Sequence, residues 1–175
     1  MTLLVGSAIQ VDEENGKKGE RDNRKPTWQE MVYDSRTFPQ PSVFWTRDLW
    51  QAAGPVDESL YFVMDYDLWL RMRSRAEQEL RVDEVLSYII LHPEQKWKRS
   101  IREGSFNNFT QERAAVSIRA AKDRGEKPLG WLLRLWFYRV QLAFTQKNWS
   151  LLKGSGYHWE ATRQVLELLL RRSIN

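Results

Sequence analysis

The sequence predicts a mixed α/β chain, with its strands in the first hundred residues and helices alone in the last seventy. Three observations carry this. Apolar runs of strand length, LLVGSAIQV (3–11), the end of PQPSVFWT (39–46) and LRVDEVLSYIILH (80–92), all fall in the first half. Beyond residue 104 the apolar residues recur at helical spacing only. Charge divides the chain in a similar place: residues 1–91 hold 11 Lys/Arg against 16 Asp/Glu, and residues 92–175 hold 16 against 7. Two regions are therefore expected, 1–103 and 104–175, the first acidic and the second a surface for anions.

Each element has a local reason. The run 3–11 reads as a strand, closed by the polar, glycine-containing stretch DEENGKKGERDNRKP, which reads as an exposed loop. A short helix is expected around Trp28 to Tyr33. Residues 39–46 lead into a short strand, and Thr46 is placed to cap a helix, RDLWQAA, that stops at Gly54. A turn segment, GPVDESLYFVMD, precedes a helix over 65–76. Short strands are expected within 80–92, then a basic loop, HPEQKWKRSIREG. Three helices follow, over 106–124, 128–145 and 157–172. The last places Glu160, Arg163, Gln164, Glu167 and Arg171 on one face and Trp159, Leu166, Leu169 and Leu170 on another.

Composition removes several chemistries. With 42% hydrophobic and 13% aromatic residues the chain is expected to fold. Of the nine tryptophans, many are expected to be partly buried or to line a binding surface. The absence of cysteine rules out disulfides, thiolate metal sites and cysteine nucleophiles. MTLLVGSAIQVDEENG lacks a basic lead-in and reads as a strand and turn, not a signal peptide. The helix 128–145 is short for a membrane span and holds Arg134 and Arg139. It reads as a buried or partner-packing helix, or as an interfacial helix with Trp131, Trp136 and Tyr138 at the boundary.

The chemistry centres on MDYDLWLRMR (64–73). Asp67 stands four residues before Arg71 and suits a surface ion pair. Asp65 shares a helical face with Leu68, Trp69 and Met72, which is an unusual place for a solvated acid. A carboxylate at a helix start can cap the helix or, with a substrate hydroxyl in reach, take its proton.

QPSVFWTRDLWQAAGPVDESLYFVMDYDLWLRM, a strand, and then YIILHPEQK resembles the second half of family 2 glycosyltransferases of GT-A fold. Gln40, Pro41, Ser42, Phe44 and Arg47 match the family's acceptor-side segment. Gly54, Asp57, Glu58 and Leu60 match its Gly-x-x-Asp-Glu-x-Leu turn, and Asp65 matches the aspartate regarded as general base. His92 matches a histidine that sits by the metal and diphosphate. The arginine common two residues before it is Ile90 here, and the serine three residues after it is Gln95. The resemblance covers about residues 3–100, with 40–71 the specific part.

The resemblance implies a partial, Rossmann-like GT-A domain over 1–103 with a basic helical extension over 104–175. It implies inverting transfer of a sugar from a nucleotide-sugar donor to an acceptor hydroxyl, in bacterial cell-surface polysaccharide or glycolipid synthesis. Asp65 would be the base, and Gln40, Trp45, Asp57 and Trp69 would bind the acceptor. His92, Lys96 and Lys98 would bind diphosphate, His92 also serving the metal. A divalent metal, Mg or Mn, is expected for the whole family, but no Asp-x-Asp precedes residues 3–11, the strand that follows that motif. The chain is thus expected to be a truncated, split or internal-start half that is inactive alone. Its partners would be the donor, a sugar or lipid-linked acceptor and a membrane surface reached through the C-terminal helices. It would lie in the cytoplasm or on the inner face of the membrane. A non-catalytic scaffold docking on a membrane or partner through its basic helices is the alternative. No motif points to nucleic acid.

Overall fold

The run read as the first strand forms β1, Thr2–Asp12, and organises the N-terminal part of the chain. The computed structural model describes residues 1–12, 19, 21–34, 36–148, 150, 153 and 155–172. Leu3, Val5, Ser7 and Ala8 of β1 are fully buried, as expected of a strand covered on both faces. β1 pairs antiparallel with β2 (Arg21–Asp22) and with β3 (Val43–Trp45), and parallel with β4 (Gln78–Leu91). The parallel ladder runs from Thr2 opposite Gln78 to Asp12 opposite Leu91. It is bulged in the middle, since Val5 to Ala8 faces Arg81 to Ser87. Ser7 Oγ donates to Asp83 O at the bulge (3.1 Å), and Ser42 Oγ donates to Ser7 O (2.8 Å).

The other elements, in chain order, are α1 (Trp28–Asp34), a 3-10 turn (Gln40–Ser42), α2 (Arg47–Ala53), α3 (Met64–Arg75), α4 (Lys96–Arg102), α5 (Phe106–Asp123), α6 (Pro128–Thr145) and α7 (Gly156–Arg172). The molecule is therefore mixed α/β. It divides into two compact units, residues 1–26 with 37–106, and residues 27–36 with 107 onward. Residues 27–36, expected within the 1–103 region, belong to the helical unit.

Several local expectations are corrected. LRVDEVLSYIIL lies in one 14-residue strand, not in several short ones. The basic stretch after His92 is a helix, α4, and not a loop. Thr46 stands at the N-cap of α2 but makes no cap bond. Its Oγ instead accepts the Thr2 N–H (3.1 Å), tying α2 to β1. The polar stretch 12–26 contains β2 and the buried Asp22, whereas residues 13–18 and 20 lie outside the described residues. Burial works against the charge of Asp22. The Arg24 guanidinium, gripping both carboxylate oxygens at 2.8 and 2.6 Å, overcomes this and holds the group below the usual carboxylate range.

In the helical unit α1 starts with a capping box. Thr27 Oγ accepts the Glu30 N–H (3.2 Å), and Glu30 accepts the Thr27 N–H (2.7 Å). Trp131, Leu135 and Ala143 of α6 and Tyr157, Ala161 and Val165 of α7 are buried. The leucine-rich face of α7 does not point inward: Trp159, Leu166 and Leu170 are exposed. Arg139 is buried and meets Asp34 at 2.8 Å. His158 is buried beside them. Its Nδ1 accepts the Ser155 N–H (3.1 Å), so the proton of the neutral ring sits on Nε2 and is donated to Tyr33 O (3.0 Å).

Candidate functional site

α3 places both acids of the MDYDLWLRMR stretch, and their environments are opposite to a simple surface reading. Asp67, read as a surface acid, is 3% exposed. Its carboxylate takes Arg71 Nε at 2.8 Å. The Arg71 guanidinium also donates to the carbonyls of Ala53, Gly54 (3.3 Å) and Pro55 (2.9 Å). Those carbonyls close α2, where Gly54 adopts φ 81°, a left-handed conformation suited to glycine. The pair Asp67–Arg71 therefore fixes the turn between α2 and the segment that leads to α3. It is a structural clamp.

Asp65 occupies the second position of α3 and is half-buried. Its Oδ1 accepts the N–H of Tyr66 (2.6 Å). The free N–H groups and dipole of the helix start favour negative charge at this point. Tyr66, Leu68 and Trp69 behind it are buried, so the carboxylate is anchored on a rigid base.

The cations of α4 come to the segment just before Asp65. Lys96 Nζ lies 3.8 Å from the centre of the Tyr61 ring and donates to Tyr61 O at 2.6 Å. Arg99 reaches Tyr61 Oη (3.3 Å), and Tyr61 packs edge-on against Phe62. Charge at an exposed aromatic face contributes about 0.5–1 kcal/mol, so this contact positions α4 lightly. Lys98 is half-buried on the same helix. Arg102 is held by Glu94 (3.0 Å). His92 is exposed where β4 ends, and its carbonyl accepts the Gln95 N–H in the turn that opens α4 (3.3 Å).

The remaining expected residues lie in different settings. Trp69 is 3% exposed and meets Phe38 edge-on at 6.0 Å. It is a core residue and offers no face to an acceptor. Asp57 accepts the N–H (3.1 Å) and Oγ–H (2.6 Å) of Ser59, an Asx turn in the α2–α3 connection. Gln40 is exposed on the 3-10 turn. Trp45 is 41% exposed and stacks on Trp50, with ring centres 6.0 Å apart and planes 17° from parallel. The stack uses one face of Trp45.

A divalent metal finds no ready cradle. Among the described residues, no three His, Asp or Glu side chains converge on a point that can hold an ion. His92 therefore belongs to no group of three such side chains among the described residues. A divalent ion needs several donors at once, and the described residues of this chain do not fit one.

Sequence reasoning missed the buried Asp34–Arg139–His158 cluster and the α4–Tyr61 contact. The first joins residues more than a hundred positions apart, and no sequence spacing marks it. The second had a signal in the alternation of Lys96, Lys98 and Arg99 with Trp97, which was read as a loop. Comparison of the chain with models of protein families, with curated proteins and with solved structures returns no significant match.

Proposed function

We propose that this chain supplies the acceptor side of an inverting, nucleotide-sugar-dependent glycosyltransferase, with Asp65 as its base. The observation that carries the reading is the docking of α4 on Tyr61, which brings Lys96 and Arg99 to the segment that opens α3. A negative group that removes a proton and a positive group that steadies a leaving diphosphate are what such a transfer needs close together.

In this reading an acceptor hydroxyl donates its proton to the Asp65 carboxylate as its oxygen attacks the anomeric carbon. The bond from that carbon to the donor's diphosphate breaks on the opposite face, which inverts the configuration. Lys96, Lys98 and Arg99 offset the charge that develops on the diphosphate. The open face of Trp45 carries an acceptor sugar by stacking, with Gln40 at its edge. Asp57 holds the turn, and Trp69 holds α3 from within the core.

β4 supports the reading of a half domain. Among the described residues it pairs with β1 alone, and Leu80, Val85, Leu86, Tyr88 and Ile90 along it are exposed. A long apolar strand edge of this kind invites a further strand, which a donor-binding segment can supply. The donor class is a UDP- or GDP-sugar and the acceptor a sugar or lipid-linked sugar, at the inner face of a bacterial membrane.

The test is nuclear magnetic resonance on the isotopically labelled chain, titrated with pyrophosphate and with a panel of acceptor saccharides. Pyrophosphate is expected to shift the amides of Lys96 to Arg99 and of Tyr61. At least one saccharide is expected to shift the Trp45 and Trp50 indoles together with Asp65 and Tyr66. Shifts confined to the helical unit, or none across the panel, would overturn the assignment of this surface.

A further inference from the structure

The helical unit carries a surface that the transfer chemistry above does not use. The inner face of α6 is buried, yet its outer face is apolar too. Leu129, Leu133, Phe137, Val140 and Phe144 are 53, 65, 70, 39 and 63% exposed. At 3.6 residues per turn they fall within an arc of about 80°. A helix at a water-facing surface normally puts charge there, and a row of exposed large apolar side chains marks a docking surface. α6 has no Asp or Glu between Pro128 and Thr145.

A pocket with two arginines against one glutamate adjoins the row. Its cavity of about 370 Å³ is lined by Trp28, Tyr33, Arg124, Glu126, Arg134 and Phe137, among others. The Arg124 guanidinium lies 3.6 Å from the centre of the Trp28 ring. Arg134 meets Glu126 at 3.1 Å, and Glu126 also accepts the Tyr33 hydroxyl proton (3.1 Å). The Trp28 indole N–H has no acceptor among the described residues. Phe137 belongs to both features, so the pocket opens at the edge of the apolar row. Lys122 and Lys127 before the row and Lys147 and Lys153 after it are exposed.

We propose that the outer face of α6 lies on an anionic lipid bilayer, with the five apolar side chains at the acyl boundary and a lipid phosphate headgroup in the Arg124–Arg134 pocket. No helix among the described residues is long and apolar enough to cross a membrane, and an 18-residue helix in the interface plane covers about 27 Å. The charge decides the occupant. Two copies of this face would bring their lysines and arginines together, which opposes pairing, whereas an anionic leaflet neutralises them. An apolar protein partner would cover the row and bring no anion to the exposed Lys122, Arg124 and Lys127. The interfacial reading of this helix from sequence placed Trp131 at the boundary. Trp131 is 1% exposed, and the row around Phe137 takes that place.

The test is flotation of the full chain with phosphatidylcholine vesicles, with and without about a third phosphatidylglycerol. Binding is expected with the anionic vesicles only, and most of it is lost when salt rises from about 0.05 to 0.5 M. Leu133→Ser with Phe137→Ser is expected to lower binding about tenfold or more. Arg124→Gln with Arg134→Gln is expected to lower it about fivefold. All four side chains are exposed, so circular dichroism should match the parent. The arginine pair stands as the test if the serine pair misfolds. No flotation, equal flotation on phosphatidylcholine alone, or undiminished binding by the arginine variant or by a folded serine variant would overturn the proposal. So would light scattering that shows a dimer lost in the serine variant with vesicle binding unchanged, which would assign the row to a second copy. None of these readouts depends on sugar transfer.

Discussion

Arg71→Met is expected to lower the stability of the strand-bearing unit by about 3–5 kcal/mol, the typical result of leaving one member of a buried pair without its counter-charge. Asp67 is 3% exposed and its Oδ2 takes the guanidinium, so the substitution strands a carboxylate away from water. The carbonyls of Ala53, Gly54 and Pro55 lose their donor at the same time. Asp67→Asn should cost less. It leaves Arg71 with three carbonyl acceptors and a side chain 23% exposed, which water can reach. The double variant should fall well short of the sum of the singles, as for any directly coupled pair. Urea unfolding followed through tryptophan fluorescence reads all three. A loss below about 1 kcal/mol for Arg71→Met would mean an ordinary surface pair, as the sequence suggested.

Acidification is expected to weaken the helical unit by about 3 kcal/mol between pH 6.5 and 4, through His158. Burial first, and then the Arg139 charge, push its pKa down from 6.5 to about 4, against the opposing pull of Asp34 and of its bond to Tyr33 O. In the folded chain the ring stays neutral in this window, because its Nδ1 accepts from Ser155 and the Arg139 guanidinium lies beside Asp34. In the unfolded chain it takes up a proton near pH 6.5. The unfolded state therefore binds more protons between the two values, and stability falls as the pH drops through them. Below about pH 4 both states are protonated and this contribution levels off. His158→Gln should flatten this part of the profile. An unchanged pH slope in the variant would place the acid sensitivity in other groups.

Much of the framework was legible where one local rule dominated. Pro128 at the first turn and an uninterrupted apolar period gave α6 its bounds, and Gly54 gave the end of α2. The burial of Asp67 was not legible, for a physical reason. Tyr66, Asp67, Leu68, Trp69, Leu70 and Met72 are all buried, so α3 is covered around most of its circumference and its sequence has no clean polar side. The same limit applies to α7. Its core face is built from Tyr157, Ala161 and Val165, whose small members let helices approach closely, while Leu166, Leu168 and Leu170 are exposed. The capping box of Thr27 and Glu30 is a Thr-x-x-Glu spacing in the sequence and marks the start of α1. Partners such as Arg139 and Asp34 carry no spacing signal, since only the fold brings them together.

The proposed function rests on Asp65 as a proton acceptor, and Asp65→Asn in the longer transferase that the reading proposes for this chain tests it most directly. The amide keeps the size of the side chain and can still accept the Tyr66 N–H, so folding should be unchanged by circular dichroism. Turnover with the cognate UDP- or GDP-sugar should fall by about a hundredfold to ten-thousandfold, the range ascribed to general base catalysis, with substrate binding largely kept. A variant that retains more than about a tenth of the parent rate would contradict the role given to this carboxylate.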